Sequence, residues 1–145
     1  MRRGPVVLLA AMLMIAIGSA WAAPPAPPLV VDADHSTATH NSNSDTGQVT
    51  YTGHVVITHG PTIIHGAHAI VYTQRQQLVK AVVTGSPTNF TYRPDTGRPV
   101  HGVADKITYL ANDNMVILEG HATLHRGKEV FRAAIVHYDI VTQLL

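Results

Sequence analysis

Ten histidines are the most conspicuous source of chemistry in this 145-residue chain. His121 and His125 are four residues apart, so both would point to one face of a strand. His65 and His68 are three apart and would not share a face. A metal site needs three or four converging ligands and further groups that orient them, and no spacing here supplies such a set. We expect these histidines on exposed strand faces, with a His-rich metal-binding module as the alternative.

The residues that catalysis would need are missing from the sequence. It has no cysteine to serve as a nucleophile, and neither G-x-S-x-G nor H-E-x-x-H occurs in it. Asp34 and Asp105 occupy equivalent positions of an internal repeat. A carboxylate pair produced by repetition is better explained by turns or strand edges than by acid–base chemistry. The sequence predicts neither an enzyme nor a cofactor.

The distribution of charge gives no indication of a nucleic-acid partner. The whole chain has 10 Lys and Arg against 9 Asp and Glu, for a formal net charge of +1. Arg2 and Arg3 lie in a segment that we expect to be removed, which would leave a net charge of about −1. The remaining basic residues form no single run.

The first residues have the pattern of a secretory signal peptide. Arg2 and Arg3 give the positive start, residues 6–17 the apolar stretch and Ala20-Trp21-Ala22 the small-residue cleavage site. The apolar stretch is short for a membrane span, which needs about 20 residues. We expect residues 1–22 to be cleaved on export from the cytoplasm. Residues 23–28 would form an extended Pro-rich lead, and residues 29–145 one domain.

The elements that would position these side chains are repeated β-strands. Residues 46–72 alternate apolar and polar side chains between turn residues, a pattern typical of strands. Thr52-Gly53-His54-Val55 recurs later as Glu119-Gly120-His121-Ala122. The spacing of the copies, about 30 to 37 residues, is typical of arrays whose units share one apolar face.

Strands are predicted along nearly the whole of the expected domain. The predicted strands are residues 29–31, 48–58, 62–73, 77–84, 88–93, 102–110, 114–125 and 129–139, with a weak strand passing into a turn over 35–44. After the signal, no window of residues shows a helical period. The predicted class is all-β, built from repeated antiparallel strand pairs.

Three pairs of segments follow one another in a distinctive order. They are Tyr51-Thr52-Gly53-His54-Val55 with residues 67–72, Gly85-Ser86-Pro87-Thr88-Asn89-Phe90 with residues 97–100, and residues 102–109 with Leu118-Glu119-Gly120-His121-Ala122. Their order and spacing resemble the LptA/OstA-like family of periplasmic lipopolysaccharide-transport proteins. The resemblance covers residues 29–138, nearly all of the expected domain.

The resemblance implies an OstA-like V-shaped β-jelly roll whose two sheets enclose an apolar groove. Lipopolysaccharide would be carried from the inner to the outer membrane with its acyl chains in the groove and its sugar outside. LptC-like and LptD-like proteins would be neighbours through edge strands, and head-to-tail self-association is also implied. Only residues 139–145 follow Tyr138, fewer than the family pattern has, so one edge of the roll is expected to be truncated.

Strand parity predicts which residues face the groove. Val49 and Tyr51 set the parity, the repeat alignment extends it, and Phe90 is added where the resemblance places an aromatic groove residue. The predicted groove residues are Leu29, Val31, Val49, Tyr51, Val55, Ile57, Ile70, Tyr72, Phe90, Ile107, Tyr109, Val116, Leu118 and Leu124. The alternative is that these side chains only pack against one another, as the closed core of a structural β-repeat protein without a ligand.

Two further interpretations concern the charged residues and the N-terminus. Arg75, Lys80, Arg93 and Arg98 are candidates to meet lipid phosphates at the groove mouth, although a solvated rim is the favoured interpretation. The apolar start of the chain leaves an LptC-like membrane-anchored subunit of the same pathway as an alternative function.

Overall fold

A computed structural model describes residues 27–145, and all eight elements in this part of the chain are β-strands. The predicted signal peptide, residues 1–22, lies outside the described residues. Within the described part, no helix has the length and apolar character needed to cross a membrane. The strands are β1 (Leu29–Asp32), β2 (His35–Asn41), β3 (Thr46–His59), β4 (Thr62–Gln74), β5 (Gln77–Tyr92), β6 (Val100–Leu110), β7 (Met115–Arg126) and β8 (Glu129–Asp139).

The strands form one antiparallel sheet in the order β1-β3-β4-β5-β6-β7-β8, with β2 also paired to β3. β1 pairs with the second half of β3 and β2 with its first half. From β3 onwards each strand therefore lies beside the next one in the chain. The tight turns between most of them favour this local pairing.

The predicted strands agree with the observed ones to within two residues, except at β5. Two strands were expected there, 77–84 and 88–93, but residues 77–92 form one. Pairing with β6 shifts in register between Thr84 and Thr88 and then continues. Pro87 lies inside this irregularity, where its missing N–H removes no ladder hydrogen bond. Proline here marks a bend in the strand and not its end.

In each strand pair from β3–β4 to β7–β8 the register of pairing shifts near the middle, and β4–β5 has a second shift at Tyr72/Thr73. The principal shifts lie at 52/55, 65/68, 84/88, 103/106 and 119/122. A β-bulge bends its strand and increases the local twist. Because the shifts are aligned across the sheet, the whole sheet bends along one line, which we call the bend.

The bend divides the sheet into two layers that face each other. Layer A contains β2 with residues 46–52, 68–74, 77–84, 106–110, 115–119 and 135–139, and layer B contains β1 with residues 55–59, 62–65, 88–92, 100–103, 122–126 and 129–133. The rings of Phe90 in layer B and Tyr138 in layer A have centroids 6.5 Å apart, although two strands, β6 and β7, lie between them in the sheet order. The fold is thus the expected V-shaped β-jelly roll.

The inner faces of the two layers form the core. Ile57, Phe90 and Leu118 have exposed fractions of 1%, 0% and 0%. The layers approach closely at Gly102, where a Cβ atom would lie 2.5 Å from Leu118 Cδ2. In the centre of the roll the two inner faces therefore pack directly against each other.

Matching Gly-His pairs, which we call the glycine bulges, lie at the bend in β3 and β7. Gly53 and Gly120 have φ angles of +82° and +81°, and the histidine after each also has a positive φ. A Cβ atom on either glycine would overlap the carboxylate of Asp34 or Asp105. The two aspartates thus occupy equivalent positions, each against the glycine of its repeat.

Candidate functional site

Most of the predicted groove residues share the enclosed face of the sheet. The buried ones are Val55, Ile57, Phe90, Ile107, Tyr109, Val116, Leu118 and Leu124. Those that are inward but only half-buried are Leu29, Val31, Val49 and Tyr51. The half-buried residues all lie on β1 and β3, at one end of the sheet. Whether any of them contacts a ligand stays a prediction.

The predicted inward orientation of Ile70 and Tyr72 is wrong. Ile70 pairs with Val82 and Tyr72 with Lys80, and all four are on the outer face. Across the register shift between His65 and His68 the inward positions pass from Ile64 to Ala69, an odd number of residues, so alternation counted along the chain fails there. Their neighbours Ala69 and Val71 face inward and are 0% and 1% exposed.

Several inward residues were missed by the sequence interpretation. Besides Ala69 and Val71, the fully buried ones include Ile64, Ala81, Val83, Val100 and Tyr138. Ile64 could have been found, because the two-residue turn after His59 fixes the pairing of Ile57 with Ile64. No local signal marks Tyr138, since its burial depends on the fold of the whole sheet.

The side opposite the bend, where the turns of the two layers meet, is called the seam. Here His59 Nδ1 lies 3.0 Å from the Tyr109 hydroxyl, and this hydrogen bond joins β3 of layer B to β6 of layer A. Burial lowers the pKa of His59 and raises the pKa of Tyr109. Both groups are therefore held in their neutral forms, as suits a hydrogen bond at the margin of an apolar interior.

A cavity of about 340 Å³ opens beside this hydrogen bond at the β1 end of the seam. It is lined by residues of layer B, including Leu29 and His59, and of layer A, including Leu78 and Ala111. Leu29 and Ala111 pack against the central core, so the cavity borders the apolar interior.

The β8 end of the seam is closed by polar contacts. The Arg126 guanidinium donates hydrogen bonds to Glu129 Oε2, at 2.9 and 2.8 Å, and to the Gln143 carbonyl. Its charge also lies over the Phe131 ring, 5.6 Å from the centroid. Nearby, the Tyr138 hydroxyl is buried and has no hydrogen-bond partner among residues 27–145. Burial raises the pKa of this hydroxyl.

The histidines and aspartates that drew attention in the sequence lie outside the core. His54 Nδ1 is 2.8 Å from Asp34 Oδ2, and His121 Nδ1 is 3.0 Å from Asp105 Oδ2. The hydrogen bond with Asp34 raises the pKa of His54. Across residues 27–145, no three His, Asp or Glu side chains converge as metal ligands would.

The cations proposed for the groove mouth are dispersed. Lys80 Nζ lies 4.7 Å from the centre of the Tyr72 ring, on the outer face of layer A. Arg98 lies against Gly127, at the β8 side of the seam. A contact between Lys80 and a ligand inside the roll is therefore not supported by its position.

Comparison with known proteins gives consistent matches along this part of the chain. A sequence profile of the family described as "LptA/(LptD N-terminal domain) LPS transport protein" matches residues 30–144. A lipopolysaccharide export system protein LptA from Haemophilus influenzae is 31% identical over 103 residues, which are 67% of this chain and 58% of that protein. The LptA of Escherichia coli strain K12 is 29% identical over 101 residues, 68% of this chain and 52% of its own length. The chain thus spans little more than half the length of these curated relatives.

One solved structure supports the fold independently. LptH from Pseudomonas aeruginosa, described as the LptA-homologous periplasmic component of the conserved lipopolysaccharide transport device, has a TM-score of 0.69 to this chain. The alignment covers 81% of this chain and 80% of LptH at 23% sequence identity. At that identity the similarity establishes the bent β-sheet.

Proposed function

Because the chain belongs to the LptA/LptD N-terminal-domain family of lipopolysaccharide-transport proteins, we propose that it is a periplasmic carrier of lipopolysaccharide. The acyl chains would lie between layers A and B and the sugar would stay outside. The observation that carries the proposal is the single apolar inner face, which is continuous from Leu29 on β1 to Tyr138 on β8.

The inner face has the chemistry that an acyl chain requires. Its buried side chains are almost all apolar, Thr62 and Thr88 being the buried polar residues in the described part of the chain. Burial of apolar surface contributes about 25 cal/mol per Å². An acyl chain that separates the layers would replace contacts between side chains with similar contacts to itself. Cargo can therefore be held without any covalent step.

The packed centre requires the lipid to begin binding elsewhere. Val49 and Tyr51 face inward but are only half-buried, so an acyl chain can contact them before the layers separate. Ile57 and Phe90, by contrast, become available only when the layers move apart. The carrier would thus load at the β1–β3 end and fill towards the centre.

The free edges of the sheet support a role in a bridge. An exposed edge strand presents unpaired N–H and C=O groups that can pair with another strand. The edges here are formed by β1 with β2 and by β8. LptC-like and LptD-like proteins, or further copies of the chain joined head to tail, would pair with these edges. Sedimentation of wild type and Ile135→Lys tests this, because a lysine on β8 should reduce self-association if that edge is used.

The remaining features of the proposal follow from the same family. Export by residues 1–22 would place the protein in the periplasm, and identification of Ala23 as the first residue of the purified protein would exclude an LptC-like anchored form. The relatives are export and transport proteins, which supports a function without catalysis.

Binding of purified lipopolysaccharide by the exported protein tests the proposal directly. Val49→Asp places a carboxylate on the half-buried part of the inner face, and Thr50→Asp places one on the adjacent outer position. We expect saturable binding that Val49→Asp abolishes and Thr50→Asp preserves, with both variants folded by circular dichroism. Absence of binding by folded wild type, or equal effects of the two variants, would contradict the proposal.

A further inference from the structure

The cavity at the β1 end of the seam has an amphipathic lining. Leu29, Leu78 and Ala111 form its apolar part, and the amide side chains of Gln76, Gln77 and Asn112 form its polar part. Its volume of about 340 Å³ lies within the range of about 300–1,000 Å³ typical of sites for small ligands. His59 is the single titratable side chain among the residues that line it.

The composition of the polar part selects one kind of ligand chemistry. Amide side chains donate and accept hydrogen bonds, so they match hydroxyl, ester and amide oxygens. A phosphate would instead call for Arg, Lys or a cluster of N–H donors. A lining of neutral amides over apolar side chains fits the junction between a sugar headgroup and an acyl chain.

The backbone that positions Gln76 is itself unusual. Arg75 and Gln76 form the two-residue turn between β4 and β5, with φ angles of 51° and 61°. Such turns normally use Asn or Gly, because other residues are strained at positive φ. Strained turn residues that persist are often found where a side chain must be held in place for function. This turn places the Gln76 amide beside the cavity.

The His59–Tyr109 hydrogen bond lies next to the cavity and joins the two layers at this point. Tyr109 is 4% exposed and is part of the core, so the bond stands between the cavity and the interior. An acyl chain that passes from the cavity to the core must separate the two rings, whose centroids are 5.8 Å apart.

We propose that this cavity is a binding site for the sugar–acyl junction of a lipid, and that the His59–Tyr109 hydrogen bond controls passage of the acyl chain into the core. The site rests on the proposed carriage of lipopolysaccharide and specifies where the lipid crosses the seam. Gln76, Gln77 and Asn112 bind the neutral oxygens next to the chain, while Leu29 and Leu78 contact its first methylenes.

Two measurements on the exported protein test the site. In ¹⁵N NMR, octyl glucoside below its micelle concentration should shift the side-chain amide signals of Gln76, Gln77 and Asn112. The amide of Gln48, on the outer face of β3, serves as the control. In stopped-flow experiments with lipopolysaccharide, Tyr109→Phe should accelerate insertion about two- to tenfold, the factor expected for loss of one hydrogen bond. Tyr72→Phe, on the outer face, should leave the rate unchanged.

The outcomes distinguish this site from the proposed function. Lipopolysaccharide binding with an unchanged rate in Tyr109→Phe would overturn the control by His59 and Tyr109 while leaving carriage intact. Octyl glucoside shifts at Gln48 but not at Gln76, Gln77 and Asn112 would overturn the binding site. Failure of folded wild type to bind lipopolysaccharide would overturn the carrier function, and the octyl glucoside shifts alone would then decide the site.

Discussion

The two ends of the sheet differ in how completely they cover the same apolar inner face. At the β8 end, the inward residues Val136, Tyr138 and Ile140 are 7%, 0% and 7% exposed. At the β1 end, Leu29, Val31 and Tyr51 are only half-buried. Along layer A the interior is therefore covered at the β8 end and accessible at the β1 end, whereas in layer B the inward residues Phe131 and Ala133 of β8 are half-buried and exposed.

The difference in burial between the two ends originates in their edge strands. At the β1 end the edge is formed by two short strands, the four-residue β1 and the polar β2. The edge is interrupted between them at the bend, where Ala33 and Asp34 lie outside any strand. At the other end β8 crosses the bend as one strand. Residues 140–145 then turn back, held by Val141 and Thr142 N–H groups that donate to Asp139 Oδ1, at 2.9 Å each. Hydrogen bonds from Thr142 and Val141 lower the pKa of Asp139, so this turn is favoured when the carboxylate is ionised.

The largest expected effect separates the packed centre from the accessible end. Ile57→Asp buries an unpaired carboxylate in the core and should destabilise the protein by about 4 kcal/mol or more, or prevent folding. Tyr51→Asp, where water can reach the new carboxylate, should cost about 1 kcal/mol. Urea denaturation measures both. Equal losses would show that the β1 end is as closed as the centre.

The two glycine bulges, at Gly53 and Gly120, should differ in how well they tolerate a side chain in place of the glycine. Gly120→Ala and Gly53→Ala both force a Cβ into an aspartate at positive φ, at a cost of about 1–3 kcal/mol. Asp34 lies in the gap between β1 and β2 and can move, whereas Asp105 is held within β6. We therefore expect the larger loss for Gly120→Ala, measured by thermal unfolding, and partial recovery when Asp105→Ala is added. A larger loss for Gly53→Ala would contradict this difference.

Two tyrosine hydroxyls distinguish the ends of the seam more finely. Tyr109→Phe removes the hydrogen bond to His59 and should destabilise the protein by about 0.5–1.5 kcal/mol. Tyr138→Phe removes a buried hydroxyl that has no partner among the described residues, so stability should stay the same or rise by about 1 kcal/mol. Chemical denaturation of the two variants measures the change in the free energy of unfolding that each substitution causes. A greater loss for Tyr138→Phe would mean that its hydroxyl is satisfied by a bound water or ligand.

The smallest expected effect is a difference in pH dependence between two histidines. Burial lowers the pKa of His59 in the folded chain below its ordinary value of 6.5. At a pH between the folded and the unfolded pKa, the unfolded chain therefore binds a proton that the folded chain does not. Its contribution to stability is therefore lost as pH falls below about 6.5. Asp34 raises the pKa of His54, so the contribution of that pair is present at low pH and lost as pH rises through the raised pKa.

Substitution of each histidine should reveal these opposite signs. His59→Gln should make stability fall less steeply on acidification than in wild type, and His54→Gln should make it fall more steeply. Denaturation midpoints measured from pH 5 to pH 8 give the slope of stability against pH for each variant and for wild type. Slopes that change in the same direction would contradict the different environments of the two side chains.

The strands were largely readable from the sequence, because they depend on a local pattern, the period-two alternation of apolar and polar residues. The recurrence of Thr52-Gly53-His54 as Glu119-Gly120-His121 indicated a repeat, but the bend at these glycines was not predicted from it. The faces could be predicted only where no bulge intervened. Ile70 and Tyr72 were placed wrongly because the alternation of β4 reverses at its register shift, and a bulge has no sequence signature as clear as a turn.

The closure of the interior could not be predicted, because it depends on contacts between distant strands. The hydrogen bond of His59 with Tyr109 spans 50 residues, and the approach of Gly102 to Leu118 depends on how far the sheet bends. The choice between a lipid groove and a closed core was left open by the sequence. The structure contains a packed centre and an accessible end, so its inner face is not uniform.

The central claim is that lipopolysaccharide lies on the inner face and is accessible from the β1 end. Photo-crosslinking in cells tests it most directly, with p-benzoylphenylalanine at Tyr51 on the inner face and at Tyr72 on the outer face. Both sites are half-buried tyrosines, so the substitutions are matched in size and exposure. We expect a lipopolysaccharide adduct from position 51 and none from position 72. An adduct from position 72 alone would contradict the assignment of the inner face as the lipid-binding surface.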